Sequence, residues 1–121
     1  MTSIYQERIL QHSAQPHNVG RLPSATGRVL LDNPLCGDKI EMEIEVEKGQ
    51  VKDIRFTGKG CAISKAAASL LADNVKGKST DELRKWDKTS IIELLGIELG
   101  PNRLKCALLP LEALQKLLIE K

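Results

Sequence analysis

Lys39-Ile40-Glu41-Met42-Glu43-Ile44-Glu45-Val46-Glu47 alternates apolar and charged residues without a break. Successive side chains of an extended chain point to opposite faces. This period of two therefore specifies a β-strand with Ile40, Met42, Ile44 and Val46 on an apolar face and the charged residues on a wet one. Lys48-Gly49-Gln50 reads as a turn, after which Val51 to Thr57 returns as a strand with Ile54 and Phe56 inward. Upstream, Arg28 to Asp32 gives another strand, stopped by Asn33-Pro34. Three strands joined locally predict an antiparallel meander.

The flanking segments read as helices. Ser3-Ile4-Tyr5-Gln6 has the form of a capping box and opens a short helix with Tyr5, Ile9 and Leu10 inward. Gln15 to Gly27, rich in proline and glycine, reads as an irregular surface segment. Ala62 to Lys76 carries Ile63, Ala66, Ala67, Leu70, Leu71 and Val75 at helical spacing, with Gly77 as C-cap. Ser79-Thr80-Asp81-Glu82 and Ser90-Ile91-Ile92-Glu93 predict two short capped helices leading to Trp86 and Leu95. Gly100-Pro101-Asn102 reads as a break. A last helix then runs from about Cys106, with Pro110 in its first turn and an apolar stripe of Leu108, Leu111, Leu114, Leu117 and Leu118. The expected class is α+β, a small antiparallel three-stranded sheet packed with helices, with residues 1–121 as a single domain.

Bulk properties narrow the function. At 121 residues the chain suffices for one modest core. A net charge of +2 from 18 basic and 16 acidic side chains is too balanced for an electrostatic nucleic-acid binder. Tyr5, Phe56 and Trp86 are the only aromatic residues, too few for a base-stacking surface. No apolar run approaches the roughly 20 residues of a membrane span. Met1 to Arg8 lacks the basic head and apolar stretch of a secretion signal, so a cytoplasmic location is expected. Thiols stay reduced there, and an odd count of three argues against a disulfide framework.

Those thiols carry the chemistry. Cys36, Cys61 and Cys106 lie far apart in sequence, and Cys36 is followed by Gly37-Asp38. Three thiolates and a carboxylate make a four-ligand set suited to zinc or an iron–sulfur cluster. Cys61 precedes one predicted helix and Cys106 falls near the start of another, where unpaired N–H groups favour an anion. Gly58 and Gly60 permit a sharp turn and leave room beside Cys61, and Gly37 lets Cys36 and Asp38 face one point. A fourth cysteine would close the site; the harder Asp38 carboxylate is easier to displace and points to exchangeable cargo. Arg103 and Lys105 flank Cys106 and are placed to hold a persulfide or cluster anion. Other readings stand beside this one. Separate cysteines serve as small buried hydrophobes, and a three-thiol set also suits a structural zinc module used for protein binding. His12 and His17 read as surface residues, Trp86 as core, and the Gly58-Lys59-Gly60 element lacks the ending of a phosphate loop.

With those residues in view, the chain resembles the IscU/NifU/SufU family nearly end to end. The resemblance is carried by His17-Asn18-Val19-Gly20, by Asn33-Pro34-Leu35-Cys36-Gly37-Asp38 and by Gly58-Lys59-Gly60-Cys61-Ala62-Ile63-Ser64. It continues through Val75-Lys76-Gly77-Lys78-Ser79 and Arg103-Leu104-Lys105-Cys106-Ala107. It implies a compact α+β scaffold on which Cys36, Asp38, Cys61 and Cys106 hold a nascent [2Fe–2S] cluster, iron or zinc. It further implies a cysteine desulfurase as sulfur donor, apo iron–sulfur proteins as acceptors, and Cys106 as the sulfur-accepting thiol. Lys105 stands where IscU types have histidine. Leu99-Gly100-Pro101-Asn102-Arg103 replaces the stretch that an Hsp70-type chaperone recognises, so that partner is not expected by this route. Lys105, Arg103 and Ala62-Ile63-Ser64 are similar to SufU types, yet the step from Cys61 to Cys106 lacks the SufU insertion. The expected function is cluster assembly without catalysis; the alternative is a zinc-dependent sulfurtransferase fed by the desulfurase.

Overall fold

A computed structural model describes residues 4–33, 37–96 and 99–119, apart from the side chains of Ile4, Tyr5, Gln6, Asn102 and Ile119. Its elements are α1 (Ile4–Ala14), β1 (Gly27–Asn33), β2 (Asp38–Glu47), β3 (Gln50–Lys59), α2 (Ala62–Val75), α3 (Thr80–Arg84), α4 (Lys88–Leu95) and α5 (Pro101–Ile119). The strands form one antiparallel sheet in the order β1-β2-β3. Lys48-Gly49 closes the β2–β3 hairpin, both with positive φ, as a two-residue turn requires.

The apolar face of β2 becomes the centre of the molecule. Met42 and Ile44 are fully buried, as are Ile54 of β3 and Leu71 of α2. Helix α2 packs on β3, α5 packs on β1 and β2, and the two helices pack on each other. The small residues Ala66, Ala67, Ala68 and Ala72 are buried along α2. Leu114, Leu117 and Leu118 complete the core from α5, and Trp86 packs partly buried against it. Helix α1 lies on α2 with Ile9 inward. Leu10, expected inward as well, is 59% exposed, being turned about 100° from Ile9 on the helix. The expectation for Tyr5 lies outside the described side chains. Among the described residues no helix is long and apolar enough to cross a membrane.

The wet face of β2 is not wholly wet, because Glu43 is 1% exposed. The segment read as an irregular surface stretch straps it. Asn18 and Gly20 pair with Phe56 of β3, and Thr26 pairs with Ile44 of β2. Between them Leu22 is buried, and its N–H donates to Glu43 Oε1 at 3.1 Å. Arg21 and Arg28 each lie 3.4 Å from Glu43 Oε2, so the buried charge is paired and hydrogen-bonded. Alternation located the strand but carried no information on what crosses it.

Helix ends depart from expectation by small steps with identifiable causes. Asp87, not Ser90, caps α4, and Ser90 serves as the reciprocal partner in that capping box. Lys76, in extended conformation, caps α2; Gly77 follows with φ 84°, and its N–H donates to Val51 O. Helix α5 begins at Pro101, where a residue without N–H is tolerated, rather than breaking there. Pro110 consequently sits inside α5 and not in its first turn.

Candidate functional site

Asp38 opens β2 directly after the connection from β1. Gly37 turns the chain there at φ 72°, a backbone region that favours glycine, and its N–H donates to Asn33 O at 2.8 Å. Cys36 lies outside the described residues. On the neighbouring strand, β3 ends at Lys59 and Gly60 leads into Cys61, the N-cap of α2. Gly58 and Gly60, expected to supply a sharp turn and room beside Cys61, have no positive φ, and the room is what they supply. A Cβ on Gly60 would lie 2.9 Å from Ser64 Oγ and 3.3 Å from Asp38 Cγ.

Cys61 takes the place that serine or aspartate usually fills at a helix start. Its sulfur accepts the Ser64 N–H at 3.4 Å, so the first turn of α2 delivers a peptide dipole to the thiol. Asp38 fixes the same residue from the other side. Its Oδ1 accepts the Cys61 N–H at 3.2 Å, and its Oδ2 lies 3.8 Å from Cys61 Sγ.

Cys106 arrives from the third direction. It is not at a helix start, because α5 begins at Pro101 and Cys106 lies beyond the unpaired N–H groups of its first turn. Pro110, four residues on, has no N–H to donate to the Cys106 carbonyl, so the regular ladder is interrupted at the thiol-bearing residue. Sequence reading missed this relation because it placed Pro110 in the first turn.

Asp38, Cys61 and Cys106 offer one ligand atom each, all within 4.8 Å of one another. Asp38 and Cys106 are 3% and 5% exposed, whereas Cys61 is half-buried and forms the accessible side. Two soft sulfurs and one hard oxygen suit a thiophilic ion or cluster better than magnesium or calcium. Arg103 and Lys105 are exposed, and Lys105 lines a surface hollow with Asp32, Asn33, Leu109 and Glu112.

Residues 4–120 match the sequence model of the NifU-like N terminal domain. The chain is 31% identical over 117 residues to iron–sulfur cluster assembly scaffold protein IscU 1 of Archaeoglobus fulgidus, covering 97% of this chain and 76% of that protein. It is 35% identical over 115 residues to the iron–sulfur cluster assembly scaffold protein IscU of Escherichia coli, covering 92% and 88%. A crystal structure of a candidate iron–sulfur cluster assembly scaffold of the SUF system from Fervidobacterium islandicum superposes with a TM-score of 0.80 at 26% identity, covering 97% of this chain and 96% of that one. The sheet and the covering helices are thus those of a recognised class, and the chain belongs to the NifU-like N-terminal domain family.

Proposed function

We propose that this protein is an iron–sulfur cluster assembly scaffold, built as one domain over residues 1–121. The observation that carries the reading is the convergence of Asp38, Cys61 and Cys106, from a strand start, a helix cap and a helix interior, within 4.8 Å. Cys36, two residues before Asp38, supplies the remaining thiol. The cargo is a [2Fe–2S] cluster, with zinc as an alternative occupant of the same donors.

A cysteine desulfurase supplies sulfur as a persulfide, and Cys106 is the accepting thiol, with Arg103 and Lys105 countering the anion. Reduction of that sulfur to sulfide draws electrons partly from ferrous iron and otherwise from an external reductant. The protein's own contribution is positional. Ser64 N–H holds the Cys61 sulfur, Asp38 braces the Cys61 backbone, and α5 brings the Cys106 ligand atom within 4.8 Å of those of both. Asp38, the hardest of the four donors, is the one first exchanged when the cluster passes to an apo-acceptor. A reducing, cytoplasmic setting keeps the thiols free.

The test is anaerobic reconstitution with ferrous iron, cysteine and a desulfurase. A [2Fe–2S] absorption spectrum that moves to an apo-ferredoxin and is lost in Cys61→Ser supports the scaffold. Tightly held zinc, no cluster, and faster desulfurase turnover would instead indicate sulfur transfer.

A further inference from the structure

A second group of potential ligands lies at the far end of α2. His12 near the end of α1, His17 on the following segment and Asp73 on α2 offer ligand atoms within 4.8 Å of one another. Asp73 is twelve residues beyond Cys61, about 18 Å along a helix rising 1.5 Å per residue, so the two groups share no ligand. The sequence reading assigned both histidines to the surface, but His12 is 8% exposed and its ring lies 4.5 Å from that of His17, centroid to centroid.

Each potential ligand is oriented by neighbours. His12 Nδ1 lies 2.6 Å from Ser69 Oγ, and the buried Ser69 hydroxyl also accepts the His17 backbone N–H at 2.8 Å. A hydroxyl partner on Nδ1 is compatible with the tautomer that leaves His12 Nε2 as a lone-pair donor. His17 Nδ1 lies 2.6 Å from Asp73 Oδ2, and Asn18 Nδ2 donates to Asp73 Oδ1 at 2.8 Å. Arg8, the nearby cation on α1, donates to the Leu94 carbonyl. His17 and Asp73 are open to solvent on the outer side. A structural ion pair explains the His17–Asp73 contact alone. It does not explain a second imidazole, buried, hydrogen-bonded to a hydroxyl and packed against the first at a tilt of 52°.

We propose that His12, His17 and Asp73 form a separate binding site for a divalent first-row metal ion, with zinc as the expected ligand. Two imidazoles and one carboxylate are a donor set that zinc accepts, and three protein ligands leave one position for water. The site has no sulfur, so its preferences differ from those of the thiol site. It sits where the segment that straps the sheet leaves α1, so the ion would tie that segment and α1 to α2.

The experiment uses the full chain carrying Cys36→Ser, Cys61→Ser and Cys106→Ser, titrated with zinc chloride by calorimetry while ring-nitrogen NMR signals are followed. The expected result is saturable zinc binding that shifts the His12 and His17 ring signals. Adding His17→Ala, at an exposed position that leaves the fold intact, weakens binding by about tenfold or more. A thiol-free protein that binds no zinc, or zinc binding unaltered by His17→Ala, overturns the proposal. Circular dichroism of both variants confirms that each is folded. Because the thiols are absent throughout, failure here leaves the scaffold reading untouched.

Discussion

Asp38 has two duties that a single substitution separates. Its carboxylate braces the Cys61 N–H and also stands among the ligand atoms. Asp38→Asn keeps an oxygen for the N–H but removes the charge, whereas Asp38→Ala removes both. On the proposed role of Asp38 as the exchangeable donor, either substitution is expected to slow cluster transfer to an apo-ferredoxin by about tenfold, with Asp38→Ala slower than Asp38→Asn. Equal transfer rates in the parent and both variants, followed by visible absorption, would deny Asp38 that role. Gly60 answers a different question. Its missing Cβ is what lets Ser64 and Asp38 approach Cys61, so Gly60→Ala displaces both. The expected cost is about 1–3 kcal/mol in denaturant unfolding, with a lower yield of reconstituted cluster. A variant as stable as the parent would show that the loop yields without strain. Sequence reading named both residues and expected of Gly60 both a turn and room beside Cys61; the room is what the structure shows, and composition around a cysteine does not reveal that Ser64 and Asp38 are the groups that fill it.

At the scale of elements, the β2–β3 hairpin and the strap across it carry the electrostatics. Burial alone would raise the Asp53 pKa, but the Ile54 N–H, Arg55 and Lys76 outweigh it and hold the carboxyl below its ordinary 3.8. A carboxyl whose folded pKa is depressed adds stability above the unfolded value and loses it as pH falls through the folded one. Asp53→Asn should therefore be less stable than the parent at neutral pH, with the difference shrinking below about pH 4. Thermal unfolding across that range checks it, and a pH-independent difference would contradict it. Glu43 is the stronger case, because Glu43→Ala leaves the Leu22 N–H without its acceptor at a buried position and removes an anion that exposed Arg21 and Arg28 both face. A loss of about 1–3 kcal/mol is expected, with faster amide exchange at Leu22; a loss within experimental error would mean that the strap does not depend on it. Strands and their inward faces were legible because alternation is a local signal. The strap was not, because a segment rich in glycine and proline declares its irregularity and not its destination. The start of α5 was misplaced for a related reason: Gly100-Pro101 serves equally as a stop and as a first turn, and only packing decides.

Across the whole molecule, one arrangement serves both stability and site. The core residues Met42, Ile44, Ile54, Leu71 and Leu114 bind β2, β3, α2 and α5 into a single body. Three of those elements deliver Asp38, Cys61 and Cys106 to one point from their ends or flanks. The three residues were readable as candidates because thiols and a following Gly-Asp are rare and specific in sequence. Their meeting was not readable, since it depends on the return of β2 beside the end of β3 and on the lie of α5 across the sheet. The His12–His17–Asp73 group escaped for the same reason, its parts being ordinary residues until α1 and α2 pack together.

The central claim is that the converged donors carry a transferable cluster. The most direct measurement is the visible absorption spectrum of the protein reconstituted anaerobically, taken before and after addition of an apo-ferredoxin. A [2Fe–2S] spectrum that forms on the parent, fails to form on Cys61→Ser or Cys106→Ser, and moves to the ferredoxin is the predicted result. A colourless protein under the same conditions, or a spectrum unchanged by loss of either thiol, would contradict the account.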